Sequence, residues 1–267
     1  MNGTIYTTSG AATYTSAGTD LGGSSPTFTT SADTITFGTG NVTIADGTLT
    51  VNSVGGLIDF EGSILGTSDE VLVLNANAGS NNASTNEKVI TAVIGSGDQI
   101  HSVSITGRDG ITLEGNITTS NKASNNATFT GPVSINAATV AIDTDATGND
   151  GTITFTSTID SASGTSRNLD IVSATGNVTV TGAIGATTAL ATLDINQGGG
   201  DGDITLTSNI GADASNPGVT GVTRIGNAAT ADLNLNGTVY TTDDATTYAS
   251  AGTDLGGSSP TFTTSAD

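Results

Sequence analysis

The residues best equipped for chemistry lie in one short run, Asp143-Thr-Asp145-Ala-Thr147-Gly-Asn149-Asp150-Gly. Carboxylates at alternate positions leading into a glycine turn are how an oxygen cage for calcium begins, because a hard divalent cation takes six or more oxygen ligands. Asp143, Asp145, Asn149 and Asp150 are therefore the metal-ligand candidates, and Ca2+ is the only cofactor the chain points to. The twelfth position of such a loop, where a bidentate glutamate would close the cage, holds Thr154. The competing reading is an Asn/Asp-rich turn that satisfies its own backbone. Gly198-Gly-Gly-Asp-Gly-Asp203 has the composition of a calcium-binding nonapeptide, but it occurs once and out of register.

Other reactive groups are sparse. His101 is the single histidine and there is no cysteine, so a general base has no second histidine or thiol with which to build a nucleophilic pair. It reads instead as a polar residue at the start of a strand. The pairs Asp59/Glu61 and Asp201/Asp203 are of the kind a polysaccharide hydrolase uses, although Asp59 and Glu61 fall on the expected solvent face of a strand. No catalytic residue is assigned, and the expectation is a protein that is not an enzyme. The Thr-x-Thr runs Thr152/Thr154/Thr156 and Thr205/Thr207 raise an ice-binding face. A flat ladder of that kind asks for equal coils, and the coil spacing below is unequal.

The elements that would hold these residues follow from composition and pattern. The chain has 267 residues, of which 37 are glycine, with no tryptophan and only 4% aromatic residues. Such a chain lacks the bulky side chains of one thick core and suits a thin core lined by small and β-branched residues. Acidic residues outnumber basic ones 25 to 5, a net charge of −20. The five cations, Lys88, Arg108, Lys122, Arg167 and Arg224, are dispersed. Nucleic acid, which needs a basic stripe to neutralise phosphates, is excluded as a partner, and sulfated glycans and anionic lipid are disfavoured. No apolar run approaches the length of a membrane span.

Apolar residues alternate with polar ones in short runs bounded by Gly and Asp, the pattern of strands, and no stripe has the helical period. One pattern recurs six times: apolar, any, apolar, any, Gly or Ser, any, aliphatic. It reads Ile58-Asp-Phe60-Glu-Gly62-Ser-Ile64, and returns from Ile111, Ile153, Val178, Ile204 and Leu233. The first and third positions of each copy are the expected core. The fifth, always Gly or Ser, predicts a corner where the chain bends with no room for a side chain. The last four copies, from Ile153, Val178, Ile204 and Leu233, follow one another closely and at nearly even steps. The wider gaps from Ile58 to Ile111 and from Ile111 to Ile153 hold enough strands for an extra coil in each. This predicts an all-β fold, a right-handed parallel β-helix (β-solenoid) of about 25 residues per coil, with loops bulging at 76–87, 119–126 and 211–221. Tandem β-sandwich domains are the alternative fold.

The chain also repeats itself. Residues 2–33 return as 236–267 at a constant offset, and they differ only at Ile5/Val239, Ser9/Asp243, Gly10/Asp244, Ala12/Thr246 and Thr15/Ala249. Met1 stands where the second copy has Leu235, as on a fragment cut from an array. The expected organisation is one period of a tandem solenoid over 1–234 and the start of the next over 235–267, with both copies following the same backbone path. The implied partners are neighbouring repeats of the same chain, end-to-end self-stacking, and a cell-surface glycan or protein.

The pieces Gly-Asp-Ile-Thr-Leu-Thr (202–207), Gly-Asn-Val-Thr-Val-Thr-Gly (176–182) and Leu-Asn-Gly-Thr-Val-Tyr-Thr-Thr (235–242) resemble the giant β-strand-repeat exoproteins of Gram-negative bacteria, which are similar to filamentous-haemagglutinin and autotransporter adhesin passengers. The resemblance implies a secreted or cell-surface β-helical shaft that extends, coats or adheres, with no shared site motif to carry over. The alternative function is a polysaccharide-binding or polysaccharide-cleaving β-helix.

Overall fold

The computed structural model describes residues 1–31, 33–67, 69–77, 86–97 and 99–264. Among them every regular element is a β-strand, and every named strand pairs in parallel. The strands stack into three faces of one parallel β-helix.

The first face is an eleven-stranded sheet that runs from Ile5–Thr8 through strands such as Thr48–Ser53, Ala127–Thr130 and Ile204–Leu206 to Gly252–Asp254. The second begins at Ala12–Tyr14, continues to Ile159–Ser161, and passes by single bridges through Ile184 and Ile210 to Val239–Thr242 and Thr261–Thr264. The third begins at Gly18–Leu21, passes Ile94 by a bridge, and ends at Thr246–Tyr248. Each turn visits the faces in that order.

The alternation of the sequence explains the core. Ile58, Ile111, Ile153, Val178, Ile204 and Leu233 and the residue two further on in each copy are all buried, at no more than 1% exposure. Side chains of period two point alternately in and out, so each strand contributes one row of aliphatic residues to the interior. Like residues stack along the axis. Phe37 lies on Phe60 with ring centroids 4.4 Å apart, and Phe129 lies on Phe155 at 4.7 Å, both nearly parallel.

The fifth position of the recurring pattern marks a corner, and the steric reason lies in the neighbouring coil. A Cβ on Gly62 would come within 2.3 Å of the Gly40 carbonyl oxygen, and one on Gly237 within 2.4 Å of the Ser208 oxygen. At these glycine copies a side chain would meet the backbone of the coil beneath, whereas Ser157 and Ser208 carry a small side chain at the same position.

Coil length varies along the first face. Register partners there are as near in sequence as Leu233 and Thr253 and as far apart as Val73 and Ser104. The strands stay in step because the difference is taken up at the corners. The longest coil contains the expected 76–87 loop, whose residues 78–85 lie outside the described residues. The 119–126 and 211–221 bulges are present as turns without strands, apart from isolated bridges at Thr119, at Val219 and between Asp213 and Asn216.

The duplicated segment folds alike in both places. Ile5 pairs with Thr27 as Val239 does with Thr261, and Tyr6 stacks on Phe28 as Tyr240 does on Phe262. The copies do not share a face. Ile5–Thr8 opens the first face, whereas Val239–Thr242 lies on the second, and Gly18–Leu21 on the third corresponds to Gly252–Asp254 on the first. The period from one copy to the next thus spans nine full turns and one further face, so the second copy is rotated by one face relative to the first.

Candidate functional site

The 143–150 turn leaves the third face at the end of the strand Thr139–Asp143 and returns at Gly151, which faces the backbone of Asn125 in the coil below. Its polar groups are engaged with one another and with the neighbouring coils. Asp143 Oδ1 accepts from the Asp145 amide (2.9 Å), and Asp150 Oδ1 accepts from the Ala146 amide (3.1 Å). Asp150 Oδ2 accepts both the amide (3.1 Å) and the hydroxyl (2.6 Å) of Thr175 in the next coil, and Asn149 Nδ2 donates to Asn121 Oδ1 (3.0 Å). Burial pushes the Asp143 carboxyl up, and the Asp145 and Asp170 charges add to that against the pull of the Asp145 amide. Burial works the same way on Asp150, but the Thr175 hydroxyl and the Ala146 and Thr175 amides outweigh it and hold that carboxyl below the ordinary range.

Asp143, Asp145, Asn149 and Asp150 therefore occupy one turn, as their spacing implies, with Asp150 tied to the neighbouring coil. Among the described residues no three His, Cys, Asp or Glu side chains converge as a metal would require. The turn is built as an Asx-type corner that satisfies its own amides.

The remaining candidates are separated. His101 precedes the strand Ser102–Thr106, and its Nε2 lies 2.9 Å from the Ala123 carbonyl oxygen. Asp59 points outward from the second face, where burial raises its carboxyl and the Glu61 and Glu114 charges raise it further. Glu114 Oε1 accepts from Asn136 Nδ2 (2.8 Å). In the glycine-rich run, Asp203 Oδ1 accepts the Asp232 amide (3.2 Å), and a Cβ on Gly200 or Gly202 would sit 2.3 or 2.1 Å from backbone of the coil below, so these two glycines serve close coil approach, whereas Gly198 and Gly199 face open space.

Two buried acids escaped the sequence reading. Glu70 is buried and its Oε2 accepts the amides of Thr67 (2.5 Å) and Asp69 (3.2 Å), while the Thr67 hydroxyl donates to Oε1. Burial opposes its ionisation, but these bonds prevail and hold its pKa below the usual glutamate value. Glu87, fully buried, pairs with Arg108 at 2.9 Å, and its amide donates to Asp109 Oδ2 (2.9 Å). Glu70 closes the corner before the strand Val71–Asn75 and Glu87 ends the 76–87 loop, and at these two places the carboxylates of Glu70 and Asp109 take up backbone amides. Neither Glu70 nor Glu87 belongs to a motif, so spacing carried no signal for them.

The outer surfaces differ by face. The second carries Asp59 and Asp160, and the third carries Asp170 and Asp194 in one column with Arg224, whose guanidinium pairs with Asp194 at 3.2 Å. The first face carries threonines in aligned ranks. Thr128, Thr154, Thr179 and Thr205 are register partners in four successive coils.

No protein-family model, curated protein or solved structure matches the chain. The structure is that of a repeat β-helix protein, and no helix among the described residues is long and apolar enough to cross a membrane.

Proposed function

We propose that this chain is a structural and adhesive repeat segment of a long fibre, secreted by or displayed on a bacterial cell, whose work is extension, surface coating and adhesion. The observation that carries this reading is the duplication. One segment recurs with the same strands and the same pairings, so the start of a second period is already stacked on the first. Local sequence that adds coils wherever it appears makes a shaft whose length scales with copy number. The acidic surface keeps such shafts apart laterally, and the likeness to filamentous-haemagglutinin and autotransporter passengers supports an extracellular place for it. In this reading the chain is not an enzyme and cell-surface glycans or proteins are its external partners.

Its ends favour stacking on further copies. The inward apolar side chains left open at the ends are Tyr6, stacked on Phe28, near Met1 at one end, and Leu255 and Phe262 at the other, with Phe262 at 45%; Ile5, in register with Thr27, points outward from the first face. Because the two patches differ, contact between them is head-to-tail and propagates into a filament instead of closing as a dimer. Sedimentation velocity over a concentration series tests this. The expected result is linear oligomers that disappear in both Tyr6→Asp and Phe262→Asp. A wild-type chain that stays monomeric at the highest soluble concentration, or oligomers that survive both substitutions, would defeat the stacking.

A second reading, a polysaccharide-binding or polysaccharide-cleaving β-helix, draws on Asp59, whose carboxyl is raised beside Glu61 and Glu114 in the manner of an acid paired with a base. Release of reducing ends from a bacterial polysaccharide, lost in Asp59→Asn, would establish it over the fibre.

A further inference from the structure

The first face has a property that the coil spacing conceals. Thr128, Thr154, Thr179 and Thr205 stand in one outward rank. Two residues further on, Thr130, Thr156, Thr181 and Thr207 form a second, held in step by the Thr156 amide on the Phe129 oxygen (3.0 Å), Thr181 on Phe155 (2.9 Å) and Thr207 on Val180 (2.8 Å). The ranks continue through Ser104 and Thr106 in the coil before; Val73 and Asn75 then interrupt them, and Thr50 beside Asn52, and Thr27 beside Thr29, follow toward one end. Uneven coil lengths, the reason for expecting no such ladder, do not disturb it, because they are absorbed at the corners.

From Thr27 to Asn236 these two ranks contain no charged residue, although the chain carries a net charge of −20 and its other faces display aspartates. The aromatic rings of the same strands, Phe28, Phe129 and Phe155, point inward and are fully buried. Thr205 Oγ1 receives a long bond from Asn234 Nδ2 (3.4 Å), and the other seven threonines of the central four coils of the two ranks make no side-chain hydrogen bond among the described residues. The hydroxyls therefore face outward unspent.

We propose that this face binds the surface of ice. Strand stacking repeats the threonines at about 4.8 Å along the axis and at about 6.6 Å across it, a two-dimensional mesh close to the oxygen repeats of hexagonal ice. A β-branched side chain is stiff at χ1, so the threonines have little ordering entropy left to lose. The hydroxyls join the lattice as donor and acceptor, and the methyls fill the spaces between waters. Competing ligands lack their own partners on this surface. A phosphate polymer or anionic lipid needs cations, a divalent cation needs converging carboxylates, and a crystalline glycan needs outward aromatic planes. The proposal is independent of the fibre reading and concerns the isolated chain.

The test uses the purified full chain with a fluorescent label, measured as its incorporation into a slowly growing ice hemisphere and as thermal hysteresis. Thr154→Tyr and Thr179→Tyr disrupt the centre of the mesh. Thr112→Tyr, outward on the second face between Ile90 and Ser134, is the control. Thr179→Lys serves as a second disruption should a tyrosine variant fail to fold, with urea melts reporting folding. The expected result is enrichment of the wild type and Thr112→Tyr in ice, with loss of both enrichment and hysteresis in the first-face variants. Exclusion of the wild type from ice to the level of albumin overturns the proposal, as does undiminished enrichment of folded Thr179→Tyr or Thr179→Lys. Retention on crystalline cellulose without ice enrichment, or a face-to-face dimer lost in Thr179→Lys without ice enrichment, would assign the face to a different occupant and also overturn it.

Discussion

Replacing Phe28 and Phe262 by alanine, one at a time, weighs a single coil of the solenoid. The two residues occupy the same position of the duplicated segment, within the same Pro-Thr-Phe-Thr-Thr run. Their neighbours beneath match: Tyr6 at 4.5 Å and Tyr14 at 5.1 Å for Phe28, Tyr240 at 5.0 Å and Tyr248 at 5.4 Å for Phe262, stacked and edge-on respectively in each case. Phe28 additionally meets Phe37 of its own coil edge-on at 5.2 Å, is overlain by Val51 of the coil above, and is fully buried, whereas Phe262 is 45% exposed. A phenylalanine side chain in a core loses about 3–5 kcal/mol on truncation to alanine. With about 200 Å² in play, 45% exposure leaves about 90 Å² in water, worth about 2 kcal/mol at about 25 cal/mol per Å². Phe28→Ala should therefore cost about 2 kcal/mol more than Phe262→Ala. Long repeat arrays need not unfold in one step, so native-state hydrogen exchange at the flanking strands is the suitable assay, with urea melts alongside. Equal costs at the two sites, or a larger cost at Phe262, would refute the claim that burial by the overlying coil separates them.

Further outcomes follow from the same geometry. Gly62→Val, whose Cβ meets the Gly40 oxygen at 2.3 Å, should lower stability by about 1–3 kcal/mol in urea melts. The Asp170 carboxyl is raised by burial and then by Asp194, so its charge opposes folding above its folded-state pKa and the penalty lifts as pH falls through that value. Asp170→Asn should therefore stabilise the protein at neutral pH, and the gain should vanish below the ordinary aspartate range in a pH series of melts. Glu70 has the opposite sign: its lowered pKa supplies stability that is complete above the usual glutamate value and is lost as pH falls through the depressed one. Glu70→Gln should cost about 1–3 kcal/mol at neutral pH and progressively less in acid. Calorimetry with Ca2+ should give at most weak, local binding at 143–150; submicromolar affinity lost in Asp145→Asn would show that the turn opens to form a cage.

The sequence by itself carried the strands, the identity of the core and the coil repeat. Alternation of Ile, Val, Leu and Phe with polar residues forces one side of each strand inward wherever the strand is placed, so Ile153, Phe155 and their counterparts were legible without coordinates. The near-identity of 2–33 and 236–267 likewise carried the equality of their local folds. Tertiary structure decided how the coils stand on one another. Corner insertions are invisible to a count along the chain but leave the ladder in step, since parallel strands register through their hydrogen bonds and not through the length of what joins them. That register aligns Thr128 with Thr154, Thr179 and Thr205, sets the glycines of the corners against the backbone below, and puts the second copy of the repeat one face round from the first. It also brings Thr175 onto Asp150 and Arg108 onto Glu87, contacts that no local pattern encodes because the partners meet only when one coil is laid upon the next.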